Sequence, residues 1–332
     1  MRARATGPTP DLATRVGSLE LPNPVMTASG TAGHSDELAA YLDLGSLGAH
    51  VVKSLAAFEW AGNPPPRLHP VKGAMLNSIG LQGPGLEAWL GDELPQLERR
   101  GVGRVVVSIW GRTIEDYAHA AALLRDAPSS VIAVEVNLSC PNLEDRRHMF
   151  AHSASIAEAA MAATAAANRP RWAKLSPNVA DLAEIVAAVR RGGADAVTLV
   201  NTLLGMAIDT ETARPVLGGI GGGLSGPAVH PVAVRAVHDI RAGDPDVAII
   251  GVGGVTNAVE AVELLMAGAN AVQVGTATFA DPRAPAKVLA GLVDWCARHG
   301  VQTVGELVGA VHRRTPEPPP TPTSHPFLRR TR

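Results

Sequence analysis

The residues best suited to chemistry lie just after short apolar segments of the chain. The segment Asn137-Leu138-Ser139-Cys140-Pro141-Asn142 places two amides and one thiol within six residues. Each amide offers donors and an acceptor in one plane, which suits a planar polar substrate. Cys140 could act as a general base once deprotonated, since the reference pKa of a cysteine thiol is about 8.5. The alternative for a lone cysteine, a small buried hydrophobe, describes Cys296 better than Cys140.

Two lysines end apolar segments in the same way. Lys174 lies within Trp172-Ala173-Lys174-Leu175, and Lys53 closes an earlier segment. Lysine is rarely buried without a partner. Each side chain could therefore neutralise negative charge on a ligand or form a structural ion pair, and the sequence leaves both readings open.

Glycines follow two further segments, at Gly251–Val255 and at Gly275-Thr276. Glycine lets backbone N–H groups approach phosphate oxygens closely, and a helix N-terminus adds a favourable dipole. These turns resemble the phosphate cradle of flavin-binding barrels, although tight turns between strands and helices would look alike. With flavin mononucleotide (FMN) bound, an ammonium at Lys174 could stabilise negative charge on the reduced ring.

The elements that must position these residues alternate along the chain. The predicted strands are Pro24–Ala28, Ala49–Lys53, Arg104–Ile109, Ile132–Asn137, Arg171–Leu175, Ala196–Val200, Val247–Gly251 and Ala271–Val274. The predicted helices are Ser35–Leu44, Gly85–Arg99, Ile114–Arg125, Ser155–Ala167, Ala180–Arg191, Pro231–Arg241, Asn257–Met266 and Ala284–Arg298. Strands that are apolar on both faces favour a parallel sheet covered by helices, and eight such units distinguish a barrel from a doubly wound sheet.

The predicted fold is therefore an α/β TIM (β/α)8 barrel with long active-site loops at its C-terminal face. The polar residues and glycines after each strand should converge on one mouth. Leu55 to Pro84 and Thr202 to Val229 would be its long loops, acting as lids or binding walls. The expected organisation is an N-terminal lead-in at 1–20, a (β/α)8 barrel at 21–312 and a flexible proline-rich tail at 313–332.

Composition excludes several classes of function. Hydrophobic residues make up 46% and charged residues 18%, which is ample for a core and excludes general disorder. The net charge is −2 and aromatic residues are 3%, so neither nucleic acid nor an anionic membrane surface is an expected partner. Two cysteines cannot form a disulfide framework, and neither a signal peptide nor a membrane span is evident. A cytoplasmic location is expected.

With these motifs in view, the chain resembles class 1 dihydroorotate dehydrogenases over about residues 21–300, and the 1B branch in particular. The motifs that carry the resemblance are Ala28-Ser29-Gly30-Thr31, Gly62-Asn63-Pro64-Pro65-Pro66-Arg67, Met75-Leu76-Asn77-Ser78-Ile79-Gly80-Leu81, Asn137–Asn142, Lys174-Leu175-Ser176-Pro177-Asn178, Asn201-Thr202-Leu203-Leu204-Gly205, Gly222-Gly223-Leu224-Ser225-Gly226-Pro227-Ala228 and the two glycine turns. The resemblance implies oxidation of dihydroorotate to orotate in pyrimidine (UMP) biosynthesis, with FMN as the cofactor.

The resemblance also implies individual roles. Cys140 is the base that removes the C5 proton while hydride passes from C6 to N5 of FMN. The residues implied to hold the substrate are Lys53, Asn77, Ser78, Ile79, Gly80, Leu81, Asn137, Asn142, Asn201 and Thr202. Those implied to line the flavin are Ser29, Lys53, Ser54, Ser108, Asn137, Lys174, Val200, Gly226, Gly253, Gly254, Gly275 and Thr276. The implied partners are a second copy of the chain and a separate FAD and iron–sulfur subunit that passes electrons to NAD.

The sequence departs from the family pattern at two places. Ser108 stands where the family usually has an asparagine toward the flavin ring, and its reach is shorter. Arg146 and Arg147 replace paired glycines after Cys140, which stiffens that backbone and adds two charges, or merely forms a solvated loop edge. His148 and His152 stand four apart, but no Glu follows His148 and the chain has no C-x-x-C, so no metal site is expected.

Two alternatives stay open at this stage. A related flavin enzyme could act on uracil-like rings, and the carboxylate of orotate separates the two because uracil lacks it. The chain could also be a non-catalytic flavin-binding barrel, against which the intact set of Cys140, Lys174 and asparagines argues. The sequence leaves the electron acceptor open among NAD, fumarate and quinone.

Overall fold

The computed structural model describes residues 9–139, 150–219 and 221–313. Its strands form where β-branched and small apolar residues cluster. In chain order they are β1 (Thr14–Val16), β2 (Leu19–Leu21), β3 (Val25–Thr27), β4 (His50–Val51), β5 (Leu68–Val71), β6 (Ala74–Asn77), β7 (Val105–Ile109), β8 (Val131–Asn137), β9 (Arg171–Leu175), β10 (Ala196–Leu199), β11 (Leu203–Gly205), β12 (Ile208–Asp209), β13 (Arg214–Pro215), β14 (Gly222–Ser225), β15 (Ile249–Val252) and β16 (Ala271–Val274).

The helices follow the alanine- and leucine-rich stretches. They are α1 (Leu86–Ala88), α2 (Leu94–Arg99), α3 (Ile114–Leu123), α4 (Ala154–Ala163), α5 (Leu182–Arg191), α6 (His230–Gly243), α7 (Ala258–Ala267), α8 (Ala277–Ala280), α9 (Ala284–His299) and α10 (Ala310–Arg313). Shorter 3₁₀ turns occupy Leu44–Ser46, Phe150–His152, Thr164–Ala167, Pro227–Val229 and Val304–Glu306. The side chains of Thr113, Asp181 and Asn257 accept hydrogen bonds from the first free N–H groups of α3, α5 and α7, and so fix where those helices begin.

Eight parallel strands form the predicted barrel. Their order is β3-β16-β15-β10-β9-β8-β7-β4, so each strand pairs with the strands of the preceding and following βα units. A parallel bridge between Met26 and Ala49 joins the two ends of the sheet. The prediction of an α/β TIM barrel is confirmed.

Alternation along the barrel strands divides the core into two clusters. Outward residues such as Val25, Val107 and Val197 pack against the surrounding helices. Inward residues such as Met26, Val106 and Trp172 pack with one another near the start of the strands. The β1–β2 hairpin adds Val16 and Leu21 to this inner cluster and closes the N-terminal end of the barrel.

The two long loops contain strands that the sequence analysis did not predict. β5 and β6 come from the first loop and β11 and β14 from the second, and they pair antiparallel in the order β11-β14-β6-β5. Gly223 faces Asn77 across the β14–β6 pair. Strands of three or four residues give too short a pattern to detect, and this pairing joins segments about 150 residues apart, which only the folded barrel brings together.

The predicted helix at Ser35–Leu44 is wrong. The segment forms turns closed by bonds such as Ala39 N to Asp36 O and Tyr41 N to Leu38 O, followed by a 3₁₀ turn. The Glu37 carboxylate accepts from the N–H groups of His34 and Ser35 at 3.1 and 2.8 Å, which ties the chain in a tight local turn. The helical spacing of its leucines reflects burial of both Leu38 and Leu42 without a helix.

The other predicted helices are present, one of them with a widened turn. Between α1 and α2 the backbone of Trp89–Glu93 is a π-helix. This wide turn ends two residues before Pro95, which has no N–H to donate to the preceding turn. The indole of Trp89 is buried and donates to the carbonyl of His34 at 2.7 Å.

His50 gives the fold a defined dependence on pH. Its ring is buried between the barrel and the turns that follow β3, 3.3 Å from the Thr27 hydroxyl. Burial lowers the pKa of His50 to about 4. Between pH 6.5 and 4 the His50 side chain binds a proton in the unfolded chain but not in the folded chain. The contribution of His50 to the free energy of unfolding is therefore full above pH 6.5 and falls as the pH drops toward 4.

We expect this one residue to account for about 3 kcal/mol of the free energy of unfolding lost over that range. The variant His50→Gln should show a flatter profile of unfolding free energy between pH 7 and 4.5, measured by urea titration. The exposed His299 serves as the control, and His299→Gln should retain the parent slope. Parallel profiles for His50→Gln and the parent protein would contradict the assignment.

Candidate active site

Polar side chains replace apolar ones inside the barrel as the strands approach their carboxyl ends. Above the inner apolar cluster, the inward positions are Ser108 on β7, Glu135 on β8, Lys174 on β9, Thr198 on β10 and Gln273 on β16, and all are buried. The predicted convergence on one mouth follows from this geometry, because all eight strands run in the same direction.

A hydrogen-bonded chain of small polar side chains crosses the mouth. The Ser54 hydroxyl lies 3.1 Å from the Ser29 hydroxyl and 2.9 Å from the Ser108 hydroxyl. Asn137 donates to Ser54 at 3.2 Å and accepts from the Asn201 amide at 3.1 Å. Five predicted site residues from five strand ends are thus joined in one network. Ser108, where the family resemblance leads one to expect asparagine, is part of it.

Asn137 is held from behind as well. The buried Tyr117 hydroxyl donates to the Asn137 carbonyl at 2.7 Å, and the Tyr117 ring packs edge-on against Phe150. The N–H of Ser139 donates to the Asn137 side-chain oxygen at 3.2 Å. With its oxygen accepting from two donors, the amide of Asn137 has a fixed orientation.

Lys174 and Glu135 form an ion pair inside the barrel. The Lys174 ammonium lies 3.4 Å from a carboxylate oxygen of Glu135, and these side chains are 6% and 0% exposed. Of the two roles that the sequence allows for Lys174, a ligand contact and an ion pair, the structure shows the ion pair. Glu135 was missed, although a single acid within Val134-Glu135-Val136 is the kind of signal that marks a buried charge.

The glycine turns adopt backbone conformations that side chains disfavour. Gly226, Gly253 and Gly254 have φ of 108°, 142° and 70°. A Cβ on Gly254 would stand 2.7 Å from the Cβ of His230 and 2.9 Å from its N. The turn after β15 therefore lies directly against the start of α6.

His230 fastens this turn. One ring nitrogen lies 2.8 Å from the Gly253 carbonyl, and the other lies 3.0 Å from the Glu263 carboxylate. Nearby, Thr276 after β16 donates its hydroxyl proton to Ser225 at 2.8 Å. Val200, the predicted flavin contact at the end of β10, is buried, and its N–H donates to the Val252 carbonyl.

The segment from Asn77 to Leu81 lies on the small antiparallel sheet and the turn after it. The Asn77 amide donates to the Gly223 carbonyl at 3.1 Å, and Ser78 accepts from Asn63 at 3.0 Å. Gly80 and Leu81 both have positive φ, at 72° and 61°. The predicted substrate residues therefore come from two different elements, this small sheet and the ends of the barrel strands.

Asn178, which was not among the predicted site residues, holds the segment that follows β10. Asn178 donates to the Thr202 carbonyl at 3.0 Å and to the Ser176 hydroxyl at 2.9 Å, while its oxygen accepts from the Leu204 N–H. The Thr202 N–H donates in turn to the Asn201 side chain at 2.8 Å. Asn178 thereby helps to fix Asn201 and Thr202, which are both among the residues predicted to bind substrate.

Lys53 affects the protonation of the neighbouring His34. Lys53 follows β4, and its N–H donates to the Gly33 carbonyl at 2.9 Å. Burial, reinforced by the Lys53 charge, lowers the pKa of His34 to about 4. His34 is therefore neutral at pH 7, and the charges that act on it are those of Lys53 and the Glu37 carboxylate.

Two predicted site residues, Cys140 and Asn142, lie outside the described residues, as do Arg146, Arg147 and His148. The described residues on either side of this segment lie next to each other, because the Ala151 N–H donates to the Leu138 carbonyl at 2.9 Å. Leu138 directly follows Asn137 of the network, so both flanks of residues 140–149 lie beside the mouth. The position of Cys140 in the chain is thus compatible with its predicted role, which stays a prediction.

Within the described ranges, no group of three or more His, Cys, Asp or Glu side chains could hold a metal ion. None of the helices in those ranges combines the length and apolar character that crossing a bilayer requires.

Comparison with known proteins agrees with this architecture. A model of the family described as dihydroorotate dehydrogenase matches residues 11–295. A protein of Geotalea daltonii named dihydroorotate dehydrogenase B (NAD(+)), catalytic subunit, is 45% identical over 303 residues, covering 91% of this chain and 98% of its own. A protein of the same name from Desulforudis audaxviator is 46% identical over 302 residues, covering 91% and 97%. The chain belongs to the dihydroorotate dehydrogenase family and is an oxidoreductase of that type.

Proposed function

We propose that this protein oxidises (S)-dihydroorotate to orotate in pyrimidine biosynthesis, with FMN as its cofactor. The observation that carries the proposal is one mouth that joins the glycine turns, the Lys174 ammonium and the serine–asparagine network. The names of the curated relatives support the same substrate.

The residues present fit FMN. Gly226, Gly253 and Gly254 form turns without side chains beside the start of α6, and backbone N–H groups of such turns suit a phosphate. The buried Lys174 supplies a positive charge where a flavin ring that gains electrons needs one. The residues proposed to line the cofactor are Ser29, Lys53, Ser54, Ser108, Asn137, Lys174, Val200, Gly226, Gly253, Gly254, Gly275 and Thr276. When bound, FMN supplies the acceptor for the hydride.

The protein's own part in the reaction is to bind an anion and remove a proton. The carboxylate of dihydroorotate would pair with Lys53, and its ring amides would meet the fixed amides of Asn137 and Asn201. The remaining residues proposed for the substrate are Asn77, Ser78, Ile79, Gly80, Leu81, Asn142 and Thr202. The Cys140 thiolate would take the proton from C5, which is acidified by the adjacent carbonyl.

The deciding experiment is anaerobic mixing of the purified protein with dihydroorotate while the flavin absorbance is followed. We expect bound FMN and its rapid bleaching by dihydroorotate, with no bleaching by dihydrouracil. Bleaching by dihydrouracil alone would replace the substrate assignment, and bound FMN that neither compound reduces would indicate a non-catalytic barrel. Oxidants are then compared among NAD, fumarate and quinone.

The glycine turn offers a test of the phosphate site. In Gly254→Ala the new Cβ would meet His230 at a left-handed φ, so we expect the Kd for FMN to rise at least about tenfold. Gly101→Ala is the matched control, because Gly101 also has a left-handed φ of 76° but a Cβ added there would meet nothing within 4 Å. Quenching of FMN fluorescence gives both Kd values, and equal values would contradict a role for this turn in cofactor binding.

The proposal includes partners. The words "catalytic subunit" in the relatives' names support a second subunit, which we propose carries FAD and an iron–sulfur centre and passes electrons to NAD. We also propose a homodimer. Leu204, Met206 and Ile208 are each half exposed or more along one short stretch, which is an apolar strip of the kind that protein contacts cover.

Changing two residues of this strip should alter the assembly. We expect Leu204→Glu/Ile208→Glu to convert a dimer to a monomer in sedimentation velocity. Val259→Glu, on the equally exposed face of α7, is the control and should leave the dimer intact. A dimer that survives the double substitution would exclude this strip as the contact.

A further inference from the structure

The middle of this barrel is unusually polar. The interior of a (β/α)8 barrel is filled mainly by Val, Ile and Leu. Here one inward layer contains Glu135, Lys174, Thr198 and Gln273, all buried and lying between the apolar floor and the mouth. Because polar groups at such depth need partners, their contacts with one another indicate what the layer does.

Glu135 is the centre of the layer. Gln273 donates to one carboxylate oxygen at 2.7 Å, and Thr198 donates to the same oxygen at 3.1 Å. The other oxygen lies 3.4 Å from the Lys174 ammonium. Charge-assisted N–H···O bonds are usually about 2.7–2.9 Å long, so Glu135 is held tightly by its neutral neighbours and loosely by Lys174.

Because the distance to Glu135 is long, the Lys174 ammonium can also donate to a group at the mouth of the barrel. An ammonium has three donors, and Glu135 engages at most one of them. Lys174 pairs in register with Asn137 across β8 and β9, and Asn137 belongs to the network at the mouth. Glu135 pairs in register with Trp172, one step further from the mouth, so the positive end of this pair is the nearer to the mouth and the negative end lies below it, above the apolar floor.

We propose that Glu135 is a positioning residue that holds Lys174 beneath the flavin and sets, through its own opposing charge, how strongly Lys174 stabilises the reduced cofactor. The inference rests on the proposed binding of FMN. Glu135 touches neither substrate nor cofactor in this scheme and acts only through Lys174. Gln273 and Thr198 fix the carboxylate so that its charge cannot move toward the flavin.

The proposal makes an ordered prediction for the midpoint potential of the bound flavin. Removing the negative charge should raise the potential, and removing the positive charge should lower it. Removing both should give a value between the parent and the variant without lysine, because the lysine is the nearer charge. The expected order is therefore Glu135→Gln highest, then the parent, then Glu135→Gln/Lys174→Met, then Lys174→Met.

The experiment is equilibrium reduction of each holoprotein against a reference dye. For Glu135→Gln we expect at least tenfold more reduced flavin at a fixed solution potential, which is about 30 mV for a two-electron couple. Glu135→Asp should return the potential toward the parent value, since it restores the charge. Thr198→Val loses one hydrogen bond to Glu135 but keeps both charges, so it should shift the potential by less than half as much.

Equal potentials for Glu135→Gln and the parent would overturn the proposal and leave Glu135 a structural residue. If that variant does not fold, the double variant decides, because it removes both buried charges together. A double variant that matches Lys174→Met would equally overturn the proposal. A parent protein that takes up no FMN would instead refute the proposed function, so the two failures are distinguishable.

Discussion

Replacing Cys140 by alanine will slow reduction of the bound flavin by dihydroorotate about a hundredfold or more. In the proposed mechanism the C5 proton then has no base, and a positioned general base contributes roughly a hundred- to ten-thousand-fold to such a step. Cofactor binding should persist, because the glycine turns and Lys174 belong to other strands. Anaerobic stopped-flow absorbance measures the rate, and FMN fluorescence measures retention.

Cys296 is the matched control for this substitution. It is the other cysteine of the chain, buried on α9, where burial raises the pKa of its thiol. Cys296→Ala should therefore reduce its flavin at the parent rate. Near-normal reduction in Cys140→Ala would remove Cys140 from its proposed role while leaving the family assignment unaffected.

Replacing Lys174 by methionine will affect both stability and cofactor. Glu135 would remain fully buried with an uncompensated charge, and breaking a buried pair in this way costs about 3–5 kcal/mol. We therefore expect a loss of that order in the free energy of unfolding of the protein without cofactor, measured by urea titration. We also expect flavin reduction to slow at least tenfold, because the positive charge near the ring is lost.

Lys287 provides the comparison for this second substitution. Its side chain is 59% exposed and pairs with Asp281 on the surface. Water and salt screen exposed pairs, so Lys287→Met should change neither the unfolding free energy nor the reduction rate appreciably. If Lys174→Met unfolded like Lys287→Met, the buried ion pair would be energetically silent and its assignment would be wrong.

The barrel could be predicted because its strands have a clear sequence pattern. Segments such as Val105–Ile109 and Ala196–Leu199 are apolar on both faces, and each is followed by an amphipathic stretch. The polar residues at their ends then had to meet, which is why Ser29, Ser54, Ser108, Asn137 and Asn201 proved to be one network. That prediction depended only on the parallel direction of the eight strands.

Other features depend on contacts that a sequence does not display. The Ser35–Leu44 segment has helical spacing, yet the Glu37 carboxylate captures nearby N–H groups and the chain turns instead. The pairing of β6 with β14 depends on two loops meeting above a finished barrel. Glu135 carried a signal in its apolar strand, but its partners Gln273 and Thr198 come from strands more than 60 residues away.

The β1–β2 hairpin has a consequence for how the barrel exchanges material with its surroundings. Val16 and Leu21 close the lower end of the barrel with apolar side chains, so the network of serines and asparagines faces only the upper end in the part of the chain that the structure describes. Reactant, product and bulk water must all pass through the upper opening. A single side of approach means that exclusion of water from the site depends on the loops at the upper opening alone.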